Sequence, residues 1–318
     1  VLLHAALGDM IGSLPAIAFA RQFTAPAQRF TVWVPEHQVP LVQHLLGELK
    51  LLRVKPIHEF KPDLVCDPKE PEWNVAGSAV ANFVVKGQIT RNKVPLVDFG
   101  HLTLLDRLPR EDWEREYPHK APLGPRTRDD KYVVIPIGAT SANKAISERV
   151  VEGLIRWCRG NGYTPVVAGK SDTIVRCTDG DKPLEVTYRY NNLPDEVKAM
   201  AVDVRDTLDL MQMRDLCGYA CAVAGMDGGT LHLAGTTDVP IVYGYTTVHP
   251  ADRGIVRYNE MNWKVVHVGP RDLACTGCQG NMNLMFGHNF RDCIYRDVLC
   301  VDRMHPDDYI DALKKLGL

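Results

Sequence analysis

Long apolar runs are the first thing this sequence lacks. No stretch approaches the roughly 18–20 apolar residues needed to cross a bilayer. The longest, such as Tyr132 to Ile137, have the length of a strand. An excess of one charge is also missing. The chain carries 37 Lys and Arg against 39 Asp and Glu, interleaved along its length, for a net charge of −2. That balance gives no general attraction to polyanions, though it allows a local basic groove. The start, Val1 to Gly8, has no basic flank and no small-residue cleavage pattern, so no secretory signal is expected. No repeat at fixed period and no low-complexity segment stands out. The nine Cys are odd in number and are not spaced like the disulfide framework of a small secreted domain. A reducing, cytoplasmic setting is therefore expected. What is left is a chain that is 45% hydrophobic and 24% charged, the profile of a folded protein, and its 318 residues suffice for two domains.

Apolar runs of strand length alternate with helical patterns. A strand–turn–helix unit opens the chain, from Val1-Leu-Leu-His-Ala through Gly8 to the segment around Leu14-Pro15-Ala16. Phe30–Val34 reads as a strand and Val39–Leu49 as a helix, with further apolar runs at 63–67 and 79–85. Residues 117–131 hold three Pro and one Gly in a polar stretch and form the best linker candidate. Beyond it the pattern resumes: strand 132–137, helix 147–159, strand 164–168, helix 208–217, strand 220–224, strand 240–243 and a final helix from about Pro306 to Leu316. Such alternation predicts parallel sheets covered by helices.

Three loops follow apolar strands, where open parallel sheets bind ligands. In the first, Gly8 permits a tight turn and Asp9 comes next, placed either to cap a helix or to act as a general base. In the second, Gly138-Ala-Thr140-Ser141-Ala-Asn-Lys144 offers hydroxyls, backbone N–H groups and one cation, which suits an anion; it also reads as an ordinary solvated turn. In the third, Asp227 precedes Gly228, Gly229, Thr230, Leu231 and His232. Two Gly at a helix opening let backbone N–H groups approach a phosphate, whereas a single His on an apolar helix is often a core residue.

In order along the chain, these segments resemble glycosyltransferase family 9, the heptosyltransferase-like family. Gly8-Asp9 with Leu14-Pro15-Ala16 is similar to its opening motif. Ile137 to Lys144 with Glu148, and Val166-Val-Ala-Gly169, resemble its next strands and loops. Asp227-Gly-Gly-Thr-Leu-His232 resembles its Asp-[Ser/Thr]-Gly-x-x-His signature, with Gly228 where Ser or Thr is usual. Ile241-Val-Tyr-Gly244 with Thr246, Thr247 and Pro250, and Cys300 with the helix after Pro306, complete the series. Ala145-Ile146-Ser147 stands where the family has x-Trp-Pro after its Lys, and Asp172 is the nearest acid after Gly169; both departures bear on the donor sugar and base.

The resemblance implies an α/β fold of two Rossmann-like domains facing across a cleft (GT-B type): an acceptor domain over 1–122, a nucleotide-sugar domain over 131–305, and a helix over 306–318 crossing back to the first domain. It also implies an inverting transfer from a nucleotide-diphosphate sugar to an acceptor hydroxyl. Asp9 is then the base. Lys144, Thr140, Ser141 and the N–H groups of Gly228 to Leu231 stabilise the leaving diphosphate, with Asp227 and His232 ordering the donor loop or contacting the donor. No cofactor is expected for catalysis. A hydroxylated DNA base is an alternative acceptor, and an inactive nucleotide-sugar-binding protein is an alternative outcome.

Four Cys crowd the C-terminal region. Cys275-Thr-Gly-Cys278 is a Cys-x-x-Cys turn, and Cys293 and Cys300 follow after fourteen and six intervening residues, with His288 between. Four thiolates in that span suit a structural tetrahedral zinc site. The same residues also read as buried reduced thiols acting as small hydrophobes.

Overall fold

The computed structural model describes residues 3–4, 7–8, 10–11, 14, 30–46, 52–56, 76–77, 121–138, 142–170, 175–179, 182–186, 189–250, 264–278 and 299–318. Asp9, Thr140, Ser141, Cys293 and the apolar runs at 63–67 and 79–85 lie outside them. The chain divides into two compact units, Val1–Pro122 and Leu123–Leu318.

In the first unit, β1 (Leu3–His4), β2 (Phe30–Val34), α1 (Val39–Leu46), β3 (Leu52–Pro56) and β4 (Ala76–Gly77) follow in order. β1 pairs in parallel with β4, and β2 in parallel with β3. The β2–α1–β3 succession is a parallel crossover, the unit that a strand followed by an amphipathic helix encodes. Helix α1 buries Leu41, Val42, Leu45 and Leu46, the i, i+1, i+4, i+5 stripe of a helix covering a sheet.

The second unit contains β5 (Tyr132–Ile137), α2 (Glu148–Gly160), β6 (Thr164–Gly169), the antiparallel pair β7 (Val175–Asp179) and β8 (Lys182–Val186), and α3 (Asp195–Lys198). These are followed by β9 (Val202–Asp203), α4 (Leu210–Gly218), β10 (Ala222–Met226), α5 (Gly229–Ala234), β11 (Ile241–Gly244), β12 (Val265–Val268), α6 (Leu299–Asp302) and α7 (Pro306–Lys315). Six strands form one parallel sheet in the order β12-β11-β10-β5-β6-β9. Every residue of β5 and β10 is buried, so the central strands are covered on both faces.

Local chemistry sets the helix ends. Ser147 caps α2 by accepting from the Val150 N–H, with Glu148 in the first turn and Arg159 in the last, matching the helix dipole. Asp209 and Gln212 form a capping box on α4. Helix α7 starts with Pro306 in its first turn and ends on Lys314 and Lys315. It buries Tyr309, Ala312 and Leu313 against α2 and the sheet of its own unit. Residues 123–130 also belong to this unit: the Tyr219 hydroxyl donates to the Gly124 carbonyl (2.6 Å) and the Gly124 N–H to Asp215 (3.1 Å). Cys158 and Cys217 are fully buried, and burial pushes both thiols up to about 12, so they serve as core hydrophobes.

Candidate functional site

Counted in chain order, the strands of the second unit's sheet lie 3-2-1-4-5-6. The direction of progression reverses between β5 and β10. In open α/β sheets this reversal leaves a crevice beyond the carboxyl ends of the two strands, because the loops leave toward opposite faces. From the end of β5 the chain leads to a 3₁₀ turn, Ala142–Lys144. From the end of β10 it leads through Asp227 and Gly228 into α5. The second and third loops of the sequence analysis therefore meet at the switch point.

They meet through an ion pair. The Lys144 ammonium donates to Asp227 Oδ2 at 2.8 Å, with the two side chains 15% and 4% exposed. The Tyr243 hydroxyl, from the adjacent strand β11, donates to Asp227 Oδ1 at 2.7 Å. His232 Nε2, one turn into α5, lies 3.4 Å from the same oxygen. The Asp227 N–H donates to the Gly244 carbonyl at 2.7 Å, which fixes the backbone of the loop. A carboxylate this buried is tolerated only with such partners. Lys144 keeps some access to water, so the cation of the pair is the part that can face an incoming anion.

Each part has a structural reason. Asp227 leaves β10 as the strand ends, and Gly228 enters α5 in extended backbone without a side-chain cap, which keeps the helix's first N–H groups clear of side-chain oxygens. Tyr243 is fully buried, and its register partner on β12, His267, packs edge-on against its ring at 5.7 Å. Partial burial, with His249 nearby, pulls the His267 imidazole below its usual range. Gly244 allows a close approach at the end of β11. A Cβ there would lie 2.0 Å from the Tyr309 hydroxyl, 2.7 Å from Met226 Sδ and 2.8 Å from the Gly225 carbonyl oxygen. Gly244→Ala is therefore expected to overpack the end of β10 and displace Met226. The cost is about 1–3 kcal/mol, at ~2–4 °C in Tm per kcal/mol for a unit of this size. A thermal melt equal to the parent's would contradict this packing.

The sequence reading brought Lys144, Asp227, Gly228 and His232 to one place without seeing how they are joined. Asp227 was expected to order the donor loop; its carboxylate is the anchor of Lys144. Thr230 and Leu231 sit in the first turn of α5, with Leu231 buried. Tyr243 was missed as a site residue. Its signal was a phenol in an otherwise apolar buried strand, which needs a hydrogen-bond partner.

The Cys-x-x-Cys turn adjoins the Lys144 turn. Gly277 has a left-handed φ of +79°, which lets the turn close between Cys275 and Cys278. Its N–H donates to the Thr246 carbonyl at 2.7 Å, and the Thr246 hydroxyl donates to the Asn143 carbonyl. Cys300 Sγ lies 4.0 Å from that same carbonyl oxygen. Among the described residues no three His, Cys, Asp or Glu side chains are grouped as metal ligands; Cys293 and His288 are not among them. No described helix is long and apolar enough to cross a membrane.

No protein-family profile matches the sequence. No curated protein matches it either. Solved structures do match in fold. The iron-containing dodecameric glycosyltransferase TibC from enterotoxigenic E. coli H10407 superposes with a TM-score of 0.68 at 17% identity, over 99% of this chain and 74% of that one. The E. coli ADP-heptose lipopolysaccharide heptosyltransferase II gives 0.61 at 14% identity, over 99% and 97%. A family 9 glycosyltransferase from Veillonella parvula DSM 2008 gives 0.59 at 14% identity, over 99% and 95%. At these identities the likeness is one of fold: the chain has the α/β architecture of heptosyltransferase-like glycosyltransferases.

Proposed function

We propose that the chain is a heptosyltransferase-like enzyme of glycosyltransferase family 9, moving a sugar from a nucleotide-diphosphate donor to an acceptor hydroxyl with inversion at the anomeric carbon. The observation that carries the proposal is the Lys144–Asp227 pair at the switch point between β5 and β10. It holds a partly exposed cation where a parallel sheet binds phosphates. The donor's diphosphate lies against Lys144, the N–H groups of Gly228, Gly229 and Thr230 at the start of α5, and the hydroxyls of Thr140 and Ser141; the Leu231 N–H, expected there from the sequence, donates instead to the Gly228 carbonyl at 3.0 Å. These groups stabilise the charge that grows on the leaving diphosphate as the glycosidic bond breaks. Asp9 removes the acceptor's proton as its oxygen attacks. TibC has been crystallised in complex with ADP-D-β-D-heptose, which makes an adenine nucleotide the first donor class to try. A hydroxylated DNA base is the less favoured acceptor, since no net positive charge draws the chain to DNA.

No cofactor takes part in this reaction scheme. Cys275, Cys278, Cys293 and Cys300 are assigned as reduced thiols, with one structural zinc ion as the second reading. The Cys-x-x-Cys turn and Cys300 beside the Asn143 carbonyl suit the ion, but Cys275, Cys278 and Cys300 are all described and do not group as metal ligands. Metal analysis of protein purified without a His tag is expected to find no stoichiometric zinc, with every thiol titratable after unfolding. About one equivalent of zinc per chain, lost on unfolding, would assign the four to a structural site instead.

The reaction itself is tested with a panel of nucleotide sugars, including ADP-heptose, and a mixed glycan acceptor pool. Release of nucleoside diphosphate that depends on acceptor, with an inverted anomeric signal by NMR, is the expected result. Nucleotide binding with no transfer to any acceptor would favour the inactive binding protein.

A further inference from the structure

Tyr243 has no direct route to a ligand, because it is fully buried in β11 and its hydroxyl ends on Asp227. Yet its position bears on the exposed end of the site. The Asp227 carboxylate has two oxygens with different partners: Oδ2 receives the Lys144 ammonium, and Oδ1 receives the Tyr243 hydroxyl, with His232 Nε2 farther off at 3.4 Å. The last torsion of an Asp side chain is broad and weakly restrained by its own sterics. A bond to each oxygen, one from the Ala142–Lys144 turn and one from β11, fixes the plane of the carboxylate. Lys144 comes from a separate turn and has a flexible four-carbon stem, so the direction of its ammonium follows that plane.

The tyrosine is itself held. Its ring is clamped edge-on by His267 across the β11–β12 register, and its strand end is fixed by the Asp227 N–H bond to the Gly244 carbonyl. The hydroxyl therefore donates from a fixed point. This makes a connected chain from the sheet interior to the Lys144 ammonium.

We propose that Tyr243 is a positioning residue for the diphosphate: acting through Asp227, it preorganises the Lys144 ammonium. The proposal rests on the reading that Lys144 meets the diphosphate. Without the hydroxyl, the carboxylate turns about its last torsion and Lys144 must be ordered by the ligand itself. That ordering cost falls on ligand binding. It falls on turnover as well, since the same ammonium meets the charge that develops on the leaving group.

The test uses calorimetry of the full chain with ADP, GDP and UDP, carrying forward whichever the parent binds best. Tyr243→Phe keeps the ring against His267 and is expected to weaken that nucleotide about three- to tenfold, in a folded protein that melts somewhat lower than the parent because the buried Asp227 loses a donor. Lys144→Ala is measured alongside. In the Lys144→Ala background, Tyr243→Phe is expected to have no further effect, because its route to the ligand is gone. Packing alone would produce the same loss in both backgrounds, since effects that do not share a partner add. Asp227→Asn breaks the same link from its other end and guards against a Tyr243→Phe protein that does not fold; adding Lys144→Ala to it is expected to cost less than Lys144→Ala costs the parent. Unchanged affinity in a folded Tyr243→Phe protein, beside a clear loss in Lys144→Ala, would overturn the positioning role and leave the diphosphate assignment standing. The role is equally overturned if the Tyr243→Phe or Asp227→Asn loss simply adds to that of Lys144→Ala. Unchanged affinity in Lys144→Ala, or no binding of any of the three nucleotides by the parent, would overturn the diphosphate assignment first, and the role of Tyr243 with it.

Discussion

Asp9→Asn is expected to abolish most sugar transfer while leaving nucleotide binding intact. An acceptor hydroxyl is a poor nucleophile until its proton leaves, and a carboxylate is the group in this chain's opening motif that can take it. Asn keeps the size and shape of Asp but cannot accept the proton. Loss of a general base costs on the order of 10²–10⁴ in kcat. The measurement is initial rate at saturating donor, with donor affinity determined separately. Near-normal turnover would exclude Asp9 as the base; Leu7 and Gly8 are already helical, so the cap expected from the sequence does not explain it either.

The next largest loss is expected from Lys144→Ala. Its ammonium meets the diphosphate both before and during bond cleavage, and the attraction grows as negative charge accumulates on the leaving oxygens. Donor affinity should fall about tenfold or more, roughly 1.4 kcal/mol. The catalytic constant should fall further, by about 10²–10³, as for the removal of other preorganised donors aimed at developing charge. The variant also leaves Asp227 buried at 4% exposure without its cation. An uncompensated buried carboxylate is strongly destabilising, so a lower melting temperature should accompany the loss. Lys144→Ala with Asp227→Asn removes both charges and should recover much of the stability without recovering the rate. If the double variant regained turnover, the lysine's role would be structural.

The sequence was most legible where one strand is buried on both faces. Tyr132–Ile137 reads as an uninterrupted apolar run and is a strand with those limits. Phe30–Val34 is likewise a strand with the limits that its sequence suggests. Boundaries drifted where a pairing partner decides them. The run at 220–224 suggested a strand two residues early. Gly225 and Met226 extend β10 because they pair with Tyr243 and Gly244 of β11, a contact invisible from local pattern. The short edge strand Val265–Val268 went unread for the same reason, being half-exposed and held by β11. The hairpin of β7 and β8 was hidden in polar residues around Gly180 and Asp181.

The candidate site was legible as three loops and opaque as a network. Small residues, a lysine and an acid before two glycines announce anion chemistry at strand ends. The ion pair that joins them spans 83 positions, and the tyrosine that completes it sits 16 beyond the acid on another strand. Only the 3-2-1-4-5-6 order brings those strand ends together. A reading from loops alone therefore does not join Asp227 to Lys144, which the fold brings to 2.8 Å.

The proposed place of the nucleoside diphosphate is beyond the carboxyl ends of β5 and β10. Amide hydrogen exchange with and without the best-binding nucleotide tests it most directly. New protection is expected at residues 138–144 and 227–231, with little change in β12 or in the β7–β8 pair. Protection confined to those other segments, with none at either loop, would contradict it.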